Sequence, residues 1–218
     1  MVAQEKNQQT AELEIPGDAI AKDVSLEHYL EYYADKHYEY VEGWVIKMAP
    51  GTLKHNNLLY YLYQFFQAFF ELKPIGQVIG QPFTLRLPQF PNRRREPDLM
   101  IVLKSNSHQL QDTLMEGAPD ICIEIVSDES TARDYGDKFT EYEAGGVPEY
   151  WIFDSLRQET VFFRLGADGH YNRQNLDAQG LYRSPLLPGL ALDVASLWQE
   201  SFPGPGATFN LVKAMLDT

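Results

Sequence analysis

The 218-residue sequence predicts an α/β fold, in the α+β sense of one mixed sheet with flanking helices. Two short apolar runs, Leu99–Leu103 and Ile121–Val126, are typical of buried strands. After His55, apolar residues recur at the spacing of an amphipathic helix. From Ile121 to Asp154 the pattern is strand, helix, strand, which favours a right-handed parallel crossover. With neither an internal repeat nor a linker in the sequence, we expect a single domain with an added C-terminal β portion.

The N-terminal segment predicts an arm, a short helix and a hairpin. Residues 1–24 are expected to form a mobile arm, because apolar periodicity is weak there. Ser25 is a suitable N-cap for a helix that continues to Tyr33. Residues 38–41 and 44–48 have the composition of strands and are joined at Glu42-Gly43.

The remaining elements follow from the same kinds of signal. The longest helix is expected from His55 to Pro74, which stops it. Ser130 or Thr131 can cap a later helix that ends at Gly145-Gly146. Further strands are expected near residues 77–79, 83–87, 99–103, 121–126, 149–154, 160–164 and 188–194, with a short helix near 197. The domain is placed at residues 25–200, followed by a C-terminal tail at 201–218.

Charge limits the classes of partner. The formal net charge of -13 at pH 7 opposes general attraction to nucleic acid, because phosphate binding relies on Lys and Arg. A local basic patch or bound cations can still reverse the field locally. The strongest basic cluster, Arg93-Arg94-Arg95, is expected by itself to lie in a solvated loop.

Targeting and redox features favour a soluble cytoplasmic protein that has no membrane partner. No apolar stretch approaches the length of a membrane span. The polar segment Met1–Thr10 lacks the apolar region of a secretory signal. Cys122 is the single cysteine, so no intramolecular disulfide can form. Its place in an apolar run predicts a small core residue rather than an activated thiol.

Two acids and a lysine form the main candidate site. Asp98 opens the first apolar run, Glu124 lies inside the second, and Lys138 follows. A carboxylate in an apolar strand is costly unless a metal, a cation or several hydrogen bonds compensate for its burial. Strand alternation places Glu124 with Cys122 and Val126, opposite the isoleucine face. Neighbouring strands would therefore bring Asp98 and Glu124 together in one cleft.

Such a pair of carboxylates predicts a site for Mg²⁺ or Mn²⁺. Hard divalent ions prefer oxygen ligands and retain several waters, so Asp98, Glu124 and the main-chain carbonyl of Ile125 would suffice. The ion would polarise a phosphoryl oxygen and lower the pKa of a bound water. Lys138 would orient or help deprotonate that water and offset charge in the transition state.

The ordered series of motifs resembles the PD-(D/E)XK nuclease superfamily, and more closely its bacterial restriction-endonuclease-like domain family. No single piece is specific, but the order of the pieces along residues 25–195 is. The pieces are Tyr38-Glu39 with Gly43, Pro50 and His55, Glu96-Pro97-Asp98, Ile123–Ser127, Arg133-Asp134 with Lys138 and Tyr142, and Gly146-Val147 with Glu149-Tyr150-Trp151. The resemblance implies a restriction-endonuclease-like core and metal-dependent hydrolysis of DNA.

The chain departs from the superfamily in the place of its lysine. That lysine normally lies two residues after the acid, where this chain has Val126. The resemblance assigns the role to Lys138, so that Asp98, Glu124 and Lys138 are the expected catalytic residues. Two simpler alternatives stay open: Asp98 could accept hydrogen bonds at a strand start, and Lys138 could pair only with Asp134 at i,i+4 spacing.

Four further residues have open roles. Glu39 or Glu42 could supply an extra acid, although a hairpin edge explains them equally well. His55 could join the site or simply stand at the start of its helix. Tyr142, one turn beyond Lys138, is expected to be a packing residue.

The sequence thus leaves two functional hypotheses. The first is a metal-dependent endonuclease that hydrolyses DNA phosphodiester bonds, favoured by the intact Asp98, Glu124 and Lys138. The second is an inactive nuclease-fold protein with a binding or structural role, favoured by the acidic charge. A nucleotide-binding loop and a zinc motif find no support in the sequence. A homodimer would suit cleavage of both strands of a duplex.

Overall fold

The computed structural model describes residues 19–48 and 51–217. Its helices are α1 (Leu26–Tyr32), α2 (Leu53–Leu72), α3 (Lys138–Ala144) and α4 (Pro205–Leu216). Its strands are β1 (Ala19–Ala21), β2 (Tyr38–Val41), β3 (Trp44–Lys47), β4 (Gly76–Gly80), β5 (Thr84–Arg86), β6 (Arg93–Arg94), β7 (Leu99–Leu103), β8 (Leu114–Glu116), β9 (Ile121–Val126), β10 (Glu149–Asp154), β11 (Glu159–Leu165), β12 (Tyr171–Gln174), β13 (Leu181–Tyr182) and β14 (Leu192–Asp193). None of the helices in these two ranges is long and apolar enough to cross a bilayer.

A mixed six-stranded sheet with the order β12-β11-β10-β9-β7-β4 forms the centre of the fold. Strands β9 and β10 are parallel and α3 connects them, which confirms the predicted parallel crossover. Strand β7 runs antiparallel to β9, and β4 runs antiparallel to β7. A second sheet, β1-β3-β2-β6, contains the predicted hairpin. The short sheet β13-β14 belongs to the expected C-terminal β portion.

The two faces of the central sheet carry different cores. Helix α2 covers the face to which Ile121, Ile123 and Ile125 contribute, together with Trp151 from β10. The other face contains Cys122, and α3 packs there through Tyr142. Because side chains alternate along a strand, this arrangement confirms the predicted split of β9 into an isoleucine face and a face that carries Glu124.

The helical segment between β9 and β10 begins at Thr131, as the prediction placed it, and the N–H of Asp134 donates to the carbonyl of Ser130 at 2.8 Å. A π-helical turn, Arg133–Asp137, comes directly before α3, and no side chain caps α3. Thr131 Oγ1 donates instead to the carbonyl of Ser127, at 3.0 Å. The hydroxyl of Tyr150 donates to the carbonyl of Asp134 within the turn, at 2.9 Å. Such a bond from outside the helix stabilises a main-chain carbonyl in the irregular turn.

Both predicted chain ends need correction. Ala19–Ala21 forms β1 and pairs with β3, so the described end of the predicted arm belongs to a sheet. Residues 1–18 lie outside the described residues. The predicted tail, 201–218, contains α4, which packs on the core of α2 through the fully buried Val212. Proline at N1 after Gly204 starts this helix favourably, so the domain extends beyond the predicted boundary at residue 200.

Candidate active site

The two predicted acids lie on neighbouring strands of the central sheet. Asp98 directly precedes β7, Glu124 lies within β9, and the antiparallel register pairs Leu99 with Ile123. Both acids line one cleft at the end of β7, with a volume of about 50 Å³. The cleft is further lined by Met48, Gly51, His55, Gln81, Ile125, Ser127, Ser130, Arg133, Asp134 and Lys138. The structure thus brings together every side chain of the predicted catalytic set.

Asp98 is held by groups from three different segments. Its Oδ2 accepts a hydrogen bond from the main-chain N–H of Ile125 at 2.7 Å, and its Oδ1 accepts one from Gln81 Nε2 at 3.0 Å. Nε2 of His55, in the first turn of α2, lies 3.3 Å from Oδ2. Although burial opposes it, the hydrogen bond and charge of Asp98 raise the pKa of His55. Asp98 therefore accepts hydrogen bonds of the kind expected of an acid at the start of a strand, which was its alternative role. The same hydrogen bonds hold its carboxylate facing the cleft.

Glu124 is buried and receives two hydrogen bonds on one oxygen. Lys138 Nζ and the Tyr142 hydroxyl each donate to Oε1, both at 2.9 Å. Burial raises the pKa of Glu124 to about 8, although the charge of Lys138 opposes this shift. The negative charges of Asp134 and Asp98 raise it further. Glu124 is thus a carboxylate whose ionised form gains from any further positive charge in the cleft.

Lys138 is almost completely buried among carboxylates. Its ammonium lies 2.9 Å from Glu124 Oε1, 3.2 Å from Glu39 Oε1 and 3.7 Å from Asp134 Oδ1. The predicted i,i+4 pair with Asp134 is therefore only the longest of three ion pairs. Burial alone would lower the pKa of Lys138, but the charges of Glu124 and Glu39 outweigh it and raise that pKa. The side chain reaches the glutamate end of β9 from the following helix.

Behind Lys138 lies an ion network that the sequence did not predict. Glu39 Oε2 accepts a hydrogen bond from Arg95 at 2.9 Å, and Arg95 also donates to Glu141 on α3 at 2.8 and 3.0 Å. Arg93 reaches the same Glu141 oxygen at 2.9 Å. Only 1% of the Arg95 side chain is exposed. The prediction of a solvated Arg93-Arg94-Arg95 loop is therefore wrong, because Arg95 carries its charge into a buried cluster.

The residues with open roles separate clearly. His55 lines the cleft and Glu39 contacts Lys138 from behind it, whereas Glu42 pairs with the more exposed Arg93 at 3.3 Å. Tyr142 is a packing residue, and its hydroxyl also donates to Glu124. Tyr142 follows Lys138 by four residues on one helix face, and this spacing could have indicated that both side chains reach the same acid. Gln81, in the segment after β4, also contacts Asp98, and no pattern in the sequence around Gln81 predicted this contact.

The donor set of the cleft fits a hard divalent cation. Across residues 19–48 and 51–217, no cluster of three or more His, Cys, Asp or Glu side chains is arranged around a metal position. The predicted set instead combines two carboxylates, Asp98 and Glu124, with one main-chain carbonyl. Oxygen donors of this type suit Mg²⁺, which keeps several of its waters. A cation bound here would favour the ionised form of Glu124, whose pKa is raised first by burial.

The class of protein follows from this fold and site. A mixed sheet that brings an acid before β7 and an acid within β9 to one cleft, with a lysine from the crossover helix, is consistent with a PD-(D/E)XK-like fold. The chain belongs to the Uma2 family, whose model is described as "Putative restriction endonuclease" and matches residues 26–195. That range is most of the chain, so the resemblance drawn from the motifs is confirmed.

A solved structure supports the same fold. The chain is similar to a crystal structure of "a putative nuclease belonging to DUF820 from Anabaena variabilis ATCC 29413", with a TM-score of 0.67 and 17% sequence identity. The match covers 80% of this chain and 97% of the other. No curated protein matches the sequence.

Proposed function

We propose that the protein is a metal-dependent endonuclease that hydrolyses phosphodiester bonds of DNA. The observation that carries the proposal is the meeting of Asp98, Glu124 and Lys138 in one cleft, from two strands and a helix. Membership of a nuclease family supports the reaction class. Only 1% of the Lys138 side chain is exposed, and its ammonium lies near three carboxylates. This burial among acids distinguishes Lys138 from an ordinary surface lysine and supports a role in the site.

Asp98, Glu124 and the carbonyl of Ile125 would hold Mg²⁺ or Mn²⁺ in the proposed site. When bound, the ion would polarise a phosphoryl oxygen and lower the pKa of a bound water. The Ile125 N–H and Gln81 fix the Asp98 carboxylate at the cleft wall. The Lys138 ammonium, held beside Glu124, offsets negative charge that develops on the phosphoryl group.

The acidic composition shapes how such a substrate would be bound. With a formal charge of -13, the protein repels DNA at long range, so binding depends on local positive charge. In the cleft, Lys138 and Arg133 are outnumbered by Asp98, Glu124 and Asp134, so a bound divalent ion would supply the positive charge that is still needed. We therefore expect DNA binding to depend on the metal as well as on the basic side chains.

Nicking of supercoiled plasmid tests the proposal. Wild-type protein should convert supercoiled DNA to the relaxed form with Mg²⁺ or Mn²⁺ and lose this activity with a chelator. Glu124→Gln keeps the shape of the side chain but removes a charged ligand, so the rate should fall by about 10²–10³-fold. Glu149→Gln is the matched control, because Glu149 is also fully buried and ion-paired but bonds to Arg164.

The outcomes separate the two functional hypotheses. A rate that falls equally in Glu124→Gln and Glu149→Gln would argue against a catalytic Glu124. Folded wild-type protein that binds DNA but never cleaves it would favour the inactive, DNA-binding alternative. We also propose a homodimer, since one active site per strand would allow cleavage of a duplex. Linear product together with a dimeric mass by light scattering would support it.

A further inference from the structure

Lys138 reaches the site on a flexible stem from a helix rather than from the strand that carries Glu124. Fixing a lysine side chain costs up to about 2 kcal/mol of rotamer entropy, so its ammonium needs anchors to stay in one place. The structure supplies them from two directions. Glu124 and the more distant Asp134 lie on the cleft side, and Glu39 approaches from β2, a strand of the second sheet.

Glu39 is itself fixed at both carboxylate oxygens. Its Oε1 faces Lys138 and accepts the main-chain N–H of Glu96 at 3.2 Å, while its Oε2 accepts from Arg95 at 2.9 Å. The whole residue is buried. Arg95 is in turn held by two hydrogen bonds to Glu141 on α3. A carboxylate bound in this way has one orientation, and it can impose that orientation on the ammonium.

We propose that Glu39 is a positioning residue, which holds the Lys138 ammonium beside Glu124. This inference rests on the proposed nuclease function and adds a residue to it. Glu39 does not belong to the residues that line the cleft, as far as the described chain shows. It therefore contacts no substrate directly and acts through Lys138. Arg95 supports this arrangement, because it balances the charge of Glu39 at Oε2 and leaves Oε1 to face Lys138.

Two readings on the same variants test the inference. The first is the ¹⁵N resonance of the Lys138 ammonium, assigned with Lys138→Met; a buried, hydrogen-bonded ammonium exchanges slowly enough with water to be observed. In Glu39→Gln this resonance should shift or broaden beyond detection. The second is plasmid-nicking kinetics, in which kcat should fall about tenfold or more while KM changes less than about twofold.

Glu149→Gln is the control for the general cost of losing a buried, paired glutamate, and it should leave both readings as in wild type. If Glu39→Gln does not fold, Glu39→Asp replaces it: this variant keeps the charge that pairs with Arg95 but shortens the side chain by one methylene. An unchanged Lys138 resonance in a folded Glu39 variant would overturn the inference, and so would an equal change in Glu149→Gln. If wild-type protein does not cleave DNA, the nuclease proposal fails, while the resonance still decides the role of Glu39.

Discussion

Two buried glutamates on adjacent strands of the central sheet show how differently a fold can treat the same side chain. Glu149 on β10 accepts from Trp151 and Tyr182 at 2.8 and 2.9 Å, and from Arg164 at 3.1 Å. Its donors are two neutral groups and one partly exposed cation. On the opposite face, Glu124 shares one lysine with two further carboxylates.

The difference lies in how the charge is balanced. Around Glu149, all three hydrogen bonds stabilise the same single carboxylate. Around Glu124, burial and neighbouring acids raise the pKa although the charge of Lys138 opposes this, so ionisation of Glu124 costs more than ionisation of an exposed glutamate. A cluster of this second kind costs stability, and such strained charge is typical of functional sites. The two clusters should therefore respond differently to the loss of their cations, to acid and to metal ions.

The largest effect is expected from removal of the central cation. Lys138→Met leaves Glu39 and Glu124 buried without their shared partner, which should lower the free energy of unfolding by about 3–5 kcal/mol at pH 7. Arg164→Met at the Glu149 cluster should cost roughly 1–2 kcal/mol, because the arginine is partly exposed and two neutral donors remain. Urea unfolding of both variants measures the two values. Equal losses would remove the distinction between the clusters.

A smaller effect is expected in the acid stability of the protein. Burial alone would raise the pKa of Glu39, but the charges of Lys138 and Arg95 outweigh it and lower this pKa from 4.5 to about 2. The ionised carboxylate therefore stabilises the fold above about pH 4.5, and this stabilisation is lost as the pH falls toward 2. The complete loss amounts to about 3 kcal/mol.

Glu39→Gln should remove this part of the pH dependence, because the amide carries no charge at any of these pH values. Unfolding free energies measured from above the ordinary glutamate pKa of 4.5 down toward the lowered pKa of about 2 give the slope. A variant whose slope runs parallel to that of wild type would show that Glu39 is not stabilised by its partners.

The smallest effect is expected from metal binding. Mg²⁺ or Mn²⁺ at ten times its Kd should stabilise wild-type protein by about 1.4 kcal/mol through mass action. Glu124→Gln should lose this response, whereas Glu149→Gln and the surface variant Lys104→Ala should keep it. Thermal melts with and without the ion provide the measurement. An equal shift in Glu124→Gln and wild type would exclude Glu124 as a ligand.

Local pattern was sufficient to predict the acids and their sheet. Alternation along β9 assigned Glu124 to the face opposite the isoleucines, and the order of the two apolar runs made β7 its neighbour. The placement of the acids depends on a period of two residues, which is visible within one segment of sequence. Lys138 was assigned to the site by the resemblance to the nuclease family, because its spacing from Asp134 alone predicted no more than a local ion pair.

The network behind the lysine could not be predicted in this way. Glu39 and Arg95 are 56 residues apart in the sequence and meet where β2 pairs with β6, and the arginine cluster had the appearance of a polar loop. The antiparallel pairing of β2 with β6 brings the arginines beside β2, and this long-range pairing is not visible within one segment of sequence. Helix α4 is a different case, because Phe209, Val212 and Leu216 follow a helical spacing that was legible in the sequence.

The π-helical turn before α3 determines the direction in which each side chain of α3 points around the helix axis. Each residue rotates an α-helix by about 100°, and a π-turn alters this count within one turn. Lys138 and Tyr142 share a helix face, so both reach Glu124 Oε1 only when the turn delivers them at the right angle. Loss of a single residue from Arg133–Asp137 would rotate both side chains away from the cleft together. The number of residues in this turn is therefore as much a part of the site as the identity of the lysine.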